Sequence, residues 1–313
     1  MKIMNILISG TSGFIGGHIS QSLRDMYNTN SIGRSRDTHI KADFGSIEST
    51  RALDLKDYDA FIHCAGVIDE DFKENPEGAF QRSTHNFSLL LDKVVKAEIK
   101  VVVYFSTAHV YGQLKGVVRE DSPVNPSSDY AIAHFAAEQI LQRYTVKYGI
   151  KALIIRPMAV YGIPQSMSTF KRWHLIPYSF LLESIYNKRI ELQTSGSQER
   201  NFVSIKDISA YVRTYLEQLD AFDTFTILNP IGNDTLSVYD FAIKCSNVYN
   251  KLTGNECEIA RPHVSEDDKK NHFQYLTLHR FYSPCFRLDE YLDEFMKRLF
   301  GDYENNIVYG IDN

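Results

Sequence analysis

The stretch Gly10-Thr11-Ser12-Gly13-Phe14-Ile15-Gly16 decides the fold of this chain. It follows an apolar run over residues 3–8 and opens a segment whose apolar residues have helical spacing. A strand, a glycine-rich turn and a helix in this order predict a dinucleotide site, because the helix N-terminus offers free N–H groups to a pyrophosphate. Gly10 permits the tight turn, Gly13 the approach of the backbone to the pyrophosphate, and Gly16 the packing of helix on strand. The expected cofactor-binding residues of this turn are Gly10, Ser12, Gly13, Phe14, Ile15 and Gly16.

Composition and charge are those of an ordinary globular chain. Of 313 residues, 43% are hydrophobic and 23% are charged, and the formal net charge is −5. No block of basic residues occurs, which argues against a nucleic-acid surface and against a polybasic membrane anchor. No apolar run approaches the ~18 residues of a membrane span. The four cysteines are far apart and form no CxxC, so the sequence predicts neither a metal site nor a disulfide framework and favours a cytoplasmic location.

Short apolar runs alternate with helical stretches through the first half of the chain. The runs are continuous, as in strands buried on both faces of a parallel sheet, and lie at 3–9, 31–33 (weak), 60–64, 101–105 and 152–155. Helices are predicted between them at 14–26, 76–97 and 130–148. This alternation predicts an α/β fold, a Rossmann-type doubly wound parallel sheet.

The alternation ends after Pro157. A stretch of loop and helix follows at 164–200, then a strand at 224–228 and helices at 238–252 and 288–300. We expect a smaller C-terminal cap over the carboxyl ends of the strands, where such sheets bind ligands. The predicted division is a dinucleotide-binding domain of residues 1–163 plus 203–232 and a substrate-binding cap of residues 164–202 plus 233–313.

Residues after the later strands extend the predicted cofactor site. After the second strand, dinucleotide-binding chains usually carry an acidic residue for the ribose 2′-hydroxyl, or an Arg for a 2′-phosphate. Gly33 stands at that position here, and Arg34 follows it. This favours NADP, with NAD as the alternative. Further cofactor contacts are expected from Asp43, Phe44, Ala65 and Gly66, whereas His63 is expected to be a core histidine.

A second group of motifs follows the strand at 101–105. Thr107 lies just beyond this strand, and Tyr130 and His134 share one face of a helix because they are four residues apart. The chain resembles the extended short-chain dehydrogenase/reductase family, of the NAD-dependent epimerase/dehydratase type that acts on nucleotide sugars. The matching motifs cover nearly the whole chain: the glycine turn, Asp43-Phe44, Ser106-Thr107-x-x-Val110-Tyr111-Gly112, Tyr130, Arg156-Pro157, Val160-Tyr161-Gly162, and Arg200-Asn201-Phe202-Val203 leading to Asp207.

The resemblance implies the catalytic roles. Tyr130 would be the general acid/base for a sugar oxygen, Thr107 would hydrogen-bond the same oxygen, and hydride would pass between the sugar carbon and the nicotinamide. A free phenol has a pKa near ~10 and needs help from its surroundings to act as a base near neutral pH. The family has a Lys for this purpose, which also binds the nicotinamide ribose, but His134 stands in its place. His134 is expected to bind the ribose and to give weaker electrostatic help. Because Ser83 also replaces a family Asn, we expect an active but slow enzyme.

The resemblance also points to residues that would contact the substrate. His109 and His174 stand where the GDP-fucose synthase branch of the family has a catalytic Cys and His. Such a pair would suit either proton shuttling beside a ketone, which is epimerisation, or simple hydrogen bonding to the substrate. Arg200 is expected to bind the nucleotide diphosphate. Lys171 and Arg172 suit the same role, or a solvated helix start.

Several functions remain open at this stage. Ala108 and His109 stand where sugar-nucleotide 4,6-dehydratases carry Asp-Glu, which leaves a 4-keto sugar reductase, a 4-epimerase with retained NAD, or a combined epimerase/reductase. Arg34 favours exchangeable NADPH and hence a net reductase. The alternatives from other classes are a catalytically impaired NAD(P)/nucleotide-sugar binding protein, indicated by His134, and an RNA-binding relative, which the acidic charge disfavours. The resemblance further implies a homodimer through a four-helix bundle of helices 83–97 and 130–148.

Overall fold

A seven-stranded parallel sheet forms the centre of the molecule. The computed structural model describes residues 3–262 and 273–310. The strands of this part, in chain order, are β1 (Asn5–Ser9), β2 (Asn28–Gly33), β3 (Ile40–Lys41), β4 (Ala60–His63), β5 (Val101–Phe105), β6 (Gly116–Val118), β7 (Lys151–Ile155), β8 (Ala159–Tyr161), β9 (Arg189–Glu191), β10 (Glu199–Ser204), β11 (Phe225–Leu228), β12 (Asp234–Ser237), β13 (Glu258–Ala260) and β14 (Phe273–Tyr275). The central sheet has the order β3-β2-β1-β4-β5-β7-β11, and every pair in it is parallel. The predicted Rossmann-type α/β fold is therefore confirmed.

Helices cover both faces of this sheet. They are α1 (Phe14–Leu23), α2 (Ile47–Arg51), α3 (Asp69–Glu74), α4 (Pro76–Gln81), α5 (Phe87–Lys96), α6 (Asp129–Tyr148), α7 (Ile176–Asn187), α8 (Ile205–Glu217), α9 (Val238–Thr253) and α10 (Leu288–Glu304). On one face, α5 and α6 pack against Leu7, Phe61 and Val102 of the sheet. On the other face, α1 and α8 pack against Ile6, Ile8, Ile62 and Val103. Burial on both faces explains why these strands read as continuous apolar runs.

The order of the strands places a crevice between β1 and β4. The connection after β1 runs through α1 on one face, and the connection after β4 leads to α5 on the other face. Neighbouring strands whose connections leave in opposite directions open a crevice at their carboxyl ends, which is where such sheets bind ligands. The glycine turn and Ala65 both lie at this edge.

The helix predicted at 76–97 is interrupted. It consists of α4, a π-helical turn at Arg82–Asn86, and α5. The wider turn inserts an extra residue into the helical repeat, and such turns are frequent at functional sites. Ser83 lies in this turn, and its hydroxyl donates to the carbonyl oxygens of Ala79 (2.9 Å) and Phe80 (3.2 Å). The Ser83 hydroxyl is therefore engaged with its own helix, and its correspondence to the family Asn stays a prediction.

A separate apolar core lies beyond the sheet. It is built from α7, α9 and α10, with Leu181, Phe241 and Phe295 fully buried, and with Trp173 stacked against Tyr309 at 5.0 Å between ring centroids. This core belongs to the predicted cap. Because β10 crosses the predicted boundary at 202/203 and pairs with β8 and β12, the exact division into two domains stays a prediction. In the described part of the chain, no helix combines the length and the apolar character that crossing a membrane requires.

Candidate active site

The glycine turn after β1 is shaped for a phosphate. Gly10 has φ +72°, and a Cβ atom there would lie 2.9 Å from the carbonyl carbon of Cys64. A Cβ atom at Gly16 would lie 2.3 Å from the carbonyl oxygen of Gly10. The N-cap of α1 is Gly13, which has no side chain to cap the first turn of this helix. The turn thus leaves a helix N-terminus free to bind an anion, which fits a dinucleotide pyrophosphate.

A cavity of about 460 Å³ adjoins this turn. Its walls come from four separate strand ends and from the π-helical turn, and they include Gly10, Ser12, Arg34, Asp43, Phe44, Ala65, Gly66 and Arg82. Most of the residues predicted to bind the cofactor are therefore brought together, in a volume typical of a ligand site. Arg34 is exposed at the rim, and the carboxylate Oδ1 of Asp43 accepts a hydrogen bond from the N–H of Gly45 (2.9 Å).

Phe14 and Ile15 lie apart from that cavity. The ring of Phe14 packs against Phe170 at 5.8 Å and against Tyr178 at 6.1 Å between centroids, so it joins α1 to the cap. Ile15 packs against the apolar core on the α1 side of the sheet. The structure gives their side chains a packing role, and any contact with the cofactor would come from their backbone.

Ser9 holds the two sides of the crevice together. Its hydroxyl oxygen accepts hydrogen bonds from the N–H groups of Cys64 (3.1 Å) and Ala65 (3.2 Å), and it lies 2.9 Å from Nδ1 of His63. Burial lowers the pKa of His63 to about 3, and the charge of Arg82 acts in the same direction. His63 is thus a neutral core histidine, as the sequence indicated.

We expect Gly16→Ala to damage the cofactor site. The new Cβ would collide with the backbone of Gly10, and the required shift would lower the free energy of unfolding by about 1–3 kcal/mol. The same shift would misalign the turn and weaken NADPH binding about tenfold or more. Thermal unfolding and fluorescence titration with NADPH measure the two effects. The control is Gly301→Ala in α10, whose Cβ would meet no neighbouring atom of the described residues within 4 Å; equal losses in both variants would contradict the prediction.

Tyr130 and Thr107 meet at the carboxyl edge of the sheet. Thr107 is buried just after β5, and Tyr130 lies in the first turn of α6, where Ser128 caps the helix by accepting from the N–H of Ala131. Burial raises the pKa of Tyr130, a hydrogen bond with Thr107 opposes the rise, and the charge of Asp69 adds to it. Tyr130 therefore keeps its proton at neutral pH.

His134 is neutral, and both nitrogens of its ring form hydrogen bonds within the protein. Nε2 lies 3.1 Å from the carbonyl oxygen of Val67, which can only accept, so Nε2 carries the proton. Nδ1 then accepts from the hydroxyl of Tyr104 at 2.9 Å. Burial lowers the pKa of His134 to about 4, and a hydrogen bond to Val67 opposes this. To bind the ribose, His134 would have to give up one of these two hydrogen bonds, so that role stays a prediction.

A buried ion pair lies next to the elements that carry Tyr130 and Thr107. Glu138, one helical turn beyond His134, binds Arg156 through two hydrogen bonds, Nε to Oε1 at 3.0 Å and Nη2 to Oε2 at 2.6 Å. The hydroxyl of Ser106, next to Thr107, donates to the same carboxylate. Burial alone would lower the pKa of Arg156, but Glu138 outweighs it and raises the pKa. The pair thus ties the helix of Tyr130 to the strand end of Thr107.

A second cavity, of about 430 Å³, lies on the cap side of these residues. Its walls include His109, Met158, Val160, Ile176, Arg200, Phe202 and Phe273. Arg200 lies at the start of β10, and its Nη1 donates to the carbonyl oxygen of Glu199 at 2.8 Å. The ring of His109 lies 6.0 Å from that of Tyr130, and partial burial lowers its pKa, against the charge of Asp69. His109 and Arg200 thus share a cavity, as their predicted contact with substrate requires.

His174 does not line this cavity. It is 53% exposed, and its Nε2 lies 3.0 Å from Oε1 of Glu70 on α3. The structure therefore gives no support to a proton-shuttling pair of His109 and His174. Lys171 is exposed, whereas Arg172 also contacts Glu70, with 3.6 Å between Nη1 and Oε2.

Sequence reasoning missed Arg82, Glu70 and Asp71. Arg82 lines the cofactor cavity and pairs with Asp71. The only sequence signal was the run of acidic residues at 69–71, which does not identify its partners. Asp207, at the end of the last motif, is structural: Oδ1 accepts from the hydroxyl of Tyr282 (2.7 Å) and from the N–H of Cys285 (2.9 Å).

Comparison with known proteins shows the family of the chain. The model of the NAD dependent epimerase/dehydratase family matches residues 6–229. A UDP-glucose 4-epimerase of Lacticaseibacillus casei is 26% identical over 281 residues, which cover 81% of this chain and 82% of the relative. A GDP-6-deoxy-D-talose 4-dehydrogenase of Aggregatibacter actinomycetemcomitans is 24% identical over 267 residues, which cover 84% of this chain and 87% of the relative.

A solved structure, RMD from Pseudomonas aeruginosa complexed with NADPH, matches with a TM-score of 0.76 at 19% identity and covers 97% of this chain and 98% of its own. At this identity the likeness concerns the fold. The family model alone spans more than half of the chain, and it agrees with the resemblance carried by the motifs. The protein therefore belongs to the NAD dependent epimerase/dehydratase family, enzymes of the extended short-chain dehydrogenase/reductase type.

Proposed function

We propose that this protein is an NADP-dependent reductase of a 4-keto nucleotide sugar, with Tyr130 as the acid that protonates the oxygen at C4. The neutral ring of His134 beside Tyr130 carries the proposal: the two ring centroids lie 4.6 Å apart, and both nitrogens of His134 are engaged in hydrogen bonds. Burial raises the pKa of Tyr130, and its neighbour His134 brings no positive charge to lower it. Reduction of a ketone needs a proton donor, whereas oxidation of an alcohol needs a base. A protonated Tyr130 suits the first reaction.

The other residues have supporting roles in this proposal. Thr107 hydrogen-bonds the substrate oxygen and aligns it with the Tyr130 hydroxyl, and His109 contacts the sugar. Arg200 binds the nucleotide diphosphate from the cap side of the same cavity. The glycine turn holds the pyrophosphate of the cofactor, and Arg34 meets a 2′-phosphate if NADP is bound. When bound, NADPH supplies the hydride.

One comparison supports a redox step at C4, and another supports NADPH as the cofactor. One relative is named for a 4-dehydrogenase activity on a GDP-linked 6-deoxy sugar, and the RMD structure contains NADPH. The absence of a carboxylate at the end of β2, where Gly33 is followed by Arg34, points in the same direction. NAD remains the alternative cofactor.

A nucleotide-sugar 4-epimerase with retained NAD is the second candidate. The UDP-glucose 4-epimerase relative, matched over 81% of this chain, favours it. An epimerase must first oxidise the sugar, so Tyr130 would have to act as a base although burial raises its pKa. The neutral His134 also keeps a third candidate open, a nucleotide-sugar binding protein with impaired turnover.

One set of assays separates the three candidates. Purified protein is mixed with NADPH or NADH and a panel of UDP-, dTDP- and GDP-linked 4-keto sugars, and the nicotinamide absorbance is followed. A reductase consumes NADPH in proportion to product. Interconversion of UDP-glucose and UDP-galactose without added cofactor would indicate the epimerase, and binding with neither reaction would indicate the binding protein. Incorporation of solvent deuterium at the carbons beside the ketone would indicate that the enzyme also epimerises the sugar, with His109 moving the proton.

The pH dependence of turnover tests the role of His134. An acid with a raised pKa is active below that pKa and loses activity as the pH rises through it, so ketone reduction should stay flat between about pH 6 and pH 9. In His134→Lys, the added cation should lower the pKa of Tyr130. Reduction should then fall off at lower pH than in the wild type, and alcohol oxidation near neutral pH should become faster. His134→Ala is the control; identical profiles for the three proteins would contradict the assignment.

The predicted homodimer also stays a proposal. Helix α6 leaves Ile132 42%, Val146 85% and Tyr148 41% exposed, which is apolar surface that a second copy would cover. Light scattering at micromolar concentration gives the mass directly. The cytoplasmic location stays a prediction as well.

A further inference from the structure

Helix α3 lines the cofactor cavity through Asp71 and contacts the cap through Glu70. It begins shortly after the strand end that carries Ala65 and Gly66, and its first turn bears three consecutive carboxylates, Asp69, Glu70 and Asp71. Two of these carboxylates reach cations in different parts of the molecule. One cation belongs to the cofactor cavity and the other to the cap.

The first contact is between Asp71 and Arg82. Arg82 lines the cofactor cavity from the π-helical turn, and its guanidinium forms an ion pair with the Asp71 carboxylate. The same carboxylate accepts from the N–H of Ile68 at 2.8 Å, which caps α3. Nε of Arg82 is buried and has no hydrogen-bond partner within residues 3–262 and 273–310. The Nε–H group of Arg82 is thus available to donate a hydrogen bond to a ligand in the cavity.

The second contact is between Glu70 and the cap. Its carboxylate oxygens lie 3.6 Å from Nη1 of Arg172 and 3.0 Å from Nε2 of His174, in the segment that leads into α7. Nε of Arg172 is buried and also lacks a partner in the described part of the chain. The Arg172 and Glu70 side chains are only 27% and 33% exposed, so this pair lies partly out of reach of solvent screening.

We infer that Arg82 binds a phosphate of the cofactor, and that Glu70 and Asp71 couple this contact to a nucleotide-diphosphate contact at Arg172. The inference rests on the proposed function, which supplies two phosphate-bearing ligands. A guanidinium prefers a phosphate as a bidentate partner, and a phosphate that reaches Arg82 competes with Asp71 for its donors.

The coupling follows from the position of the two carboxylates. They are adjacent in the first turn of a six-residue helix, and Asp71 also caps that turn. Displacing Asp71 from Arg82 therefore disturbs the placement of Glu70 and weakens its hold on Arg172. A diphosphate then finds Arg172 more available, so each ligand strengthens the binding of the other, as linkage requires.

Calorimetric titrations with NADPH and with UDP, dTDP and GDP test this inference. In the wild type, saturating NADPH should tighten binding of the best diphosphate about fivefold or more. Glu70→Gln should tighten diphosphate binding in the absence of NADPH and reduce the coupling to less than about twofold. Arg82→Gln should weaken NADPH binding about tenfold. The control is Glu77→Gln, an exposed carboxylate on α4 with no ion pair among the described residues, which should leave both affinities and the coupling unchanged.

Two results would overturn the inference. One is coupling of the wild-type size in Glu70→Gln. The other is weaker diphosphate binding in that variant. This result would mean that Glu70 helps to form the diphosphate site, whereas the inference requires it to compete with the diphosphate for Arg172. Both measurements are of equilibrium binding, so turnover assays test the proposed function separately. Coupling without ketone reduction would contradict only the proposed reductase activity. Ketone reduction without coupling would contradict only the role inferred for α3.

Discussion

Tyr130→Phe should lower the rate of ketone reduction by about 10²- to 10⁴-fold. The substitution removes only the hydroxyl that donates the proton, and it leaves the ring contacts with His134 (4.6 Å) and His109 (6.0 Å) in place. Folding and NADPH affinity should therefore change little. Single-turnover rates with a 4-keto nucleotide sugar measure the effect on chemistry, and fluorescence titration measures cofactor binding.

Tyr148→Phe is the matched control, because Tyr148 lies on the same helix, is 41% exposed and is remote from Thr107. It should keep the wild-type rate. A Tyr130→Phe variant that retains more than about a tenth of the wild-type rate would assign the proton to another donor, and His109 would be examined next.

Glu138→Gln should lower the free energy of unfolding by about 3–5 kcal/mol. Glu138 and Arg156 have side chains that are 1% and 2% exposed, so removing the carboxylate leaves a buried guanidinium without its counter-charge. Denaturant unfolding at equilibrium gives the change, provided that the m value stays constant. Activity should fall as well, because Ser106 also donates to Glu138 and so links it to Thr107.

Two further variants distinguish two effects on the free energy of unfolding: the loss caused by a buried unpaired charge, and the contribution of the ion pair itself. Asp293→Asn removes the exposed ion pair with Lys251 (3.2 Å) and should cost less than about 1 kcal/mol. The double variant Glu138→Leu/Arg156→Leu should recover part of the stability that Glu138→Gln loses, because no unpaired charge remains. Wild-type stability in Glu138→Gln would contradict the account.

Local pattern was enough to predict the sheet and the cofactor turn. Strand β5 matches the predicted run at 101–105 in both bounds, and all five of its residues are buried. The weak run at 31–33 is β2 (Asn28–Gly33), whose first three residues are polar: Asn28 is exposed, and Thr29 and Asn30 are only partly buried. Most of the strands missed altogether, such as β8 and β13, are three residues long, which is too short to show a period. The longer β10, of six residues, and β12, of four, were missed as well.

The chemistry of the site depends on contacts that sequence spacing does not contain. His134 loses its free nitrogens to Tyr104 and Val67, which lie 30 and 67 residues away along the chain. Arg172 meets Glu70 only because the cap folds over α3. Motifs therefore predicted which residues gather at the site, whereas tertiary packing decides which of them remain able to bind a ligand.

The hydroxyl of Ser9 has a consequence for the thermodynamics of cofactor binding. By accepting from the N–H groups of both Cys64 and Ala65, it fixes the backbone on the far side of the crevice as part of folding. A mobile loop at that position would lose conformational entropy each time a ligand bound, at a cost to affinity. Here that entropy is lost once, when the chain folds, so this wall of the crevice is preorganised and association should require little ordering of residues 63–66.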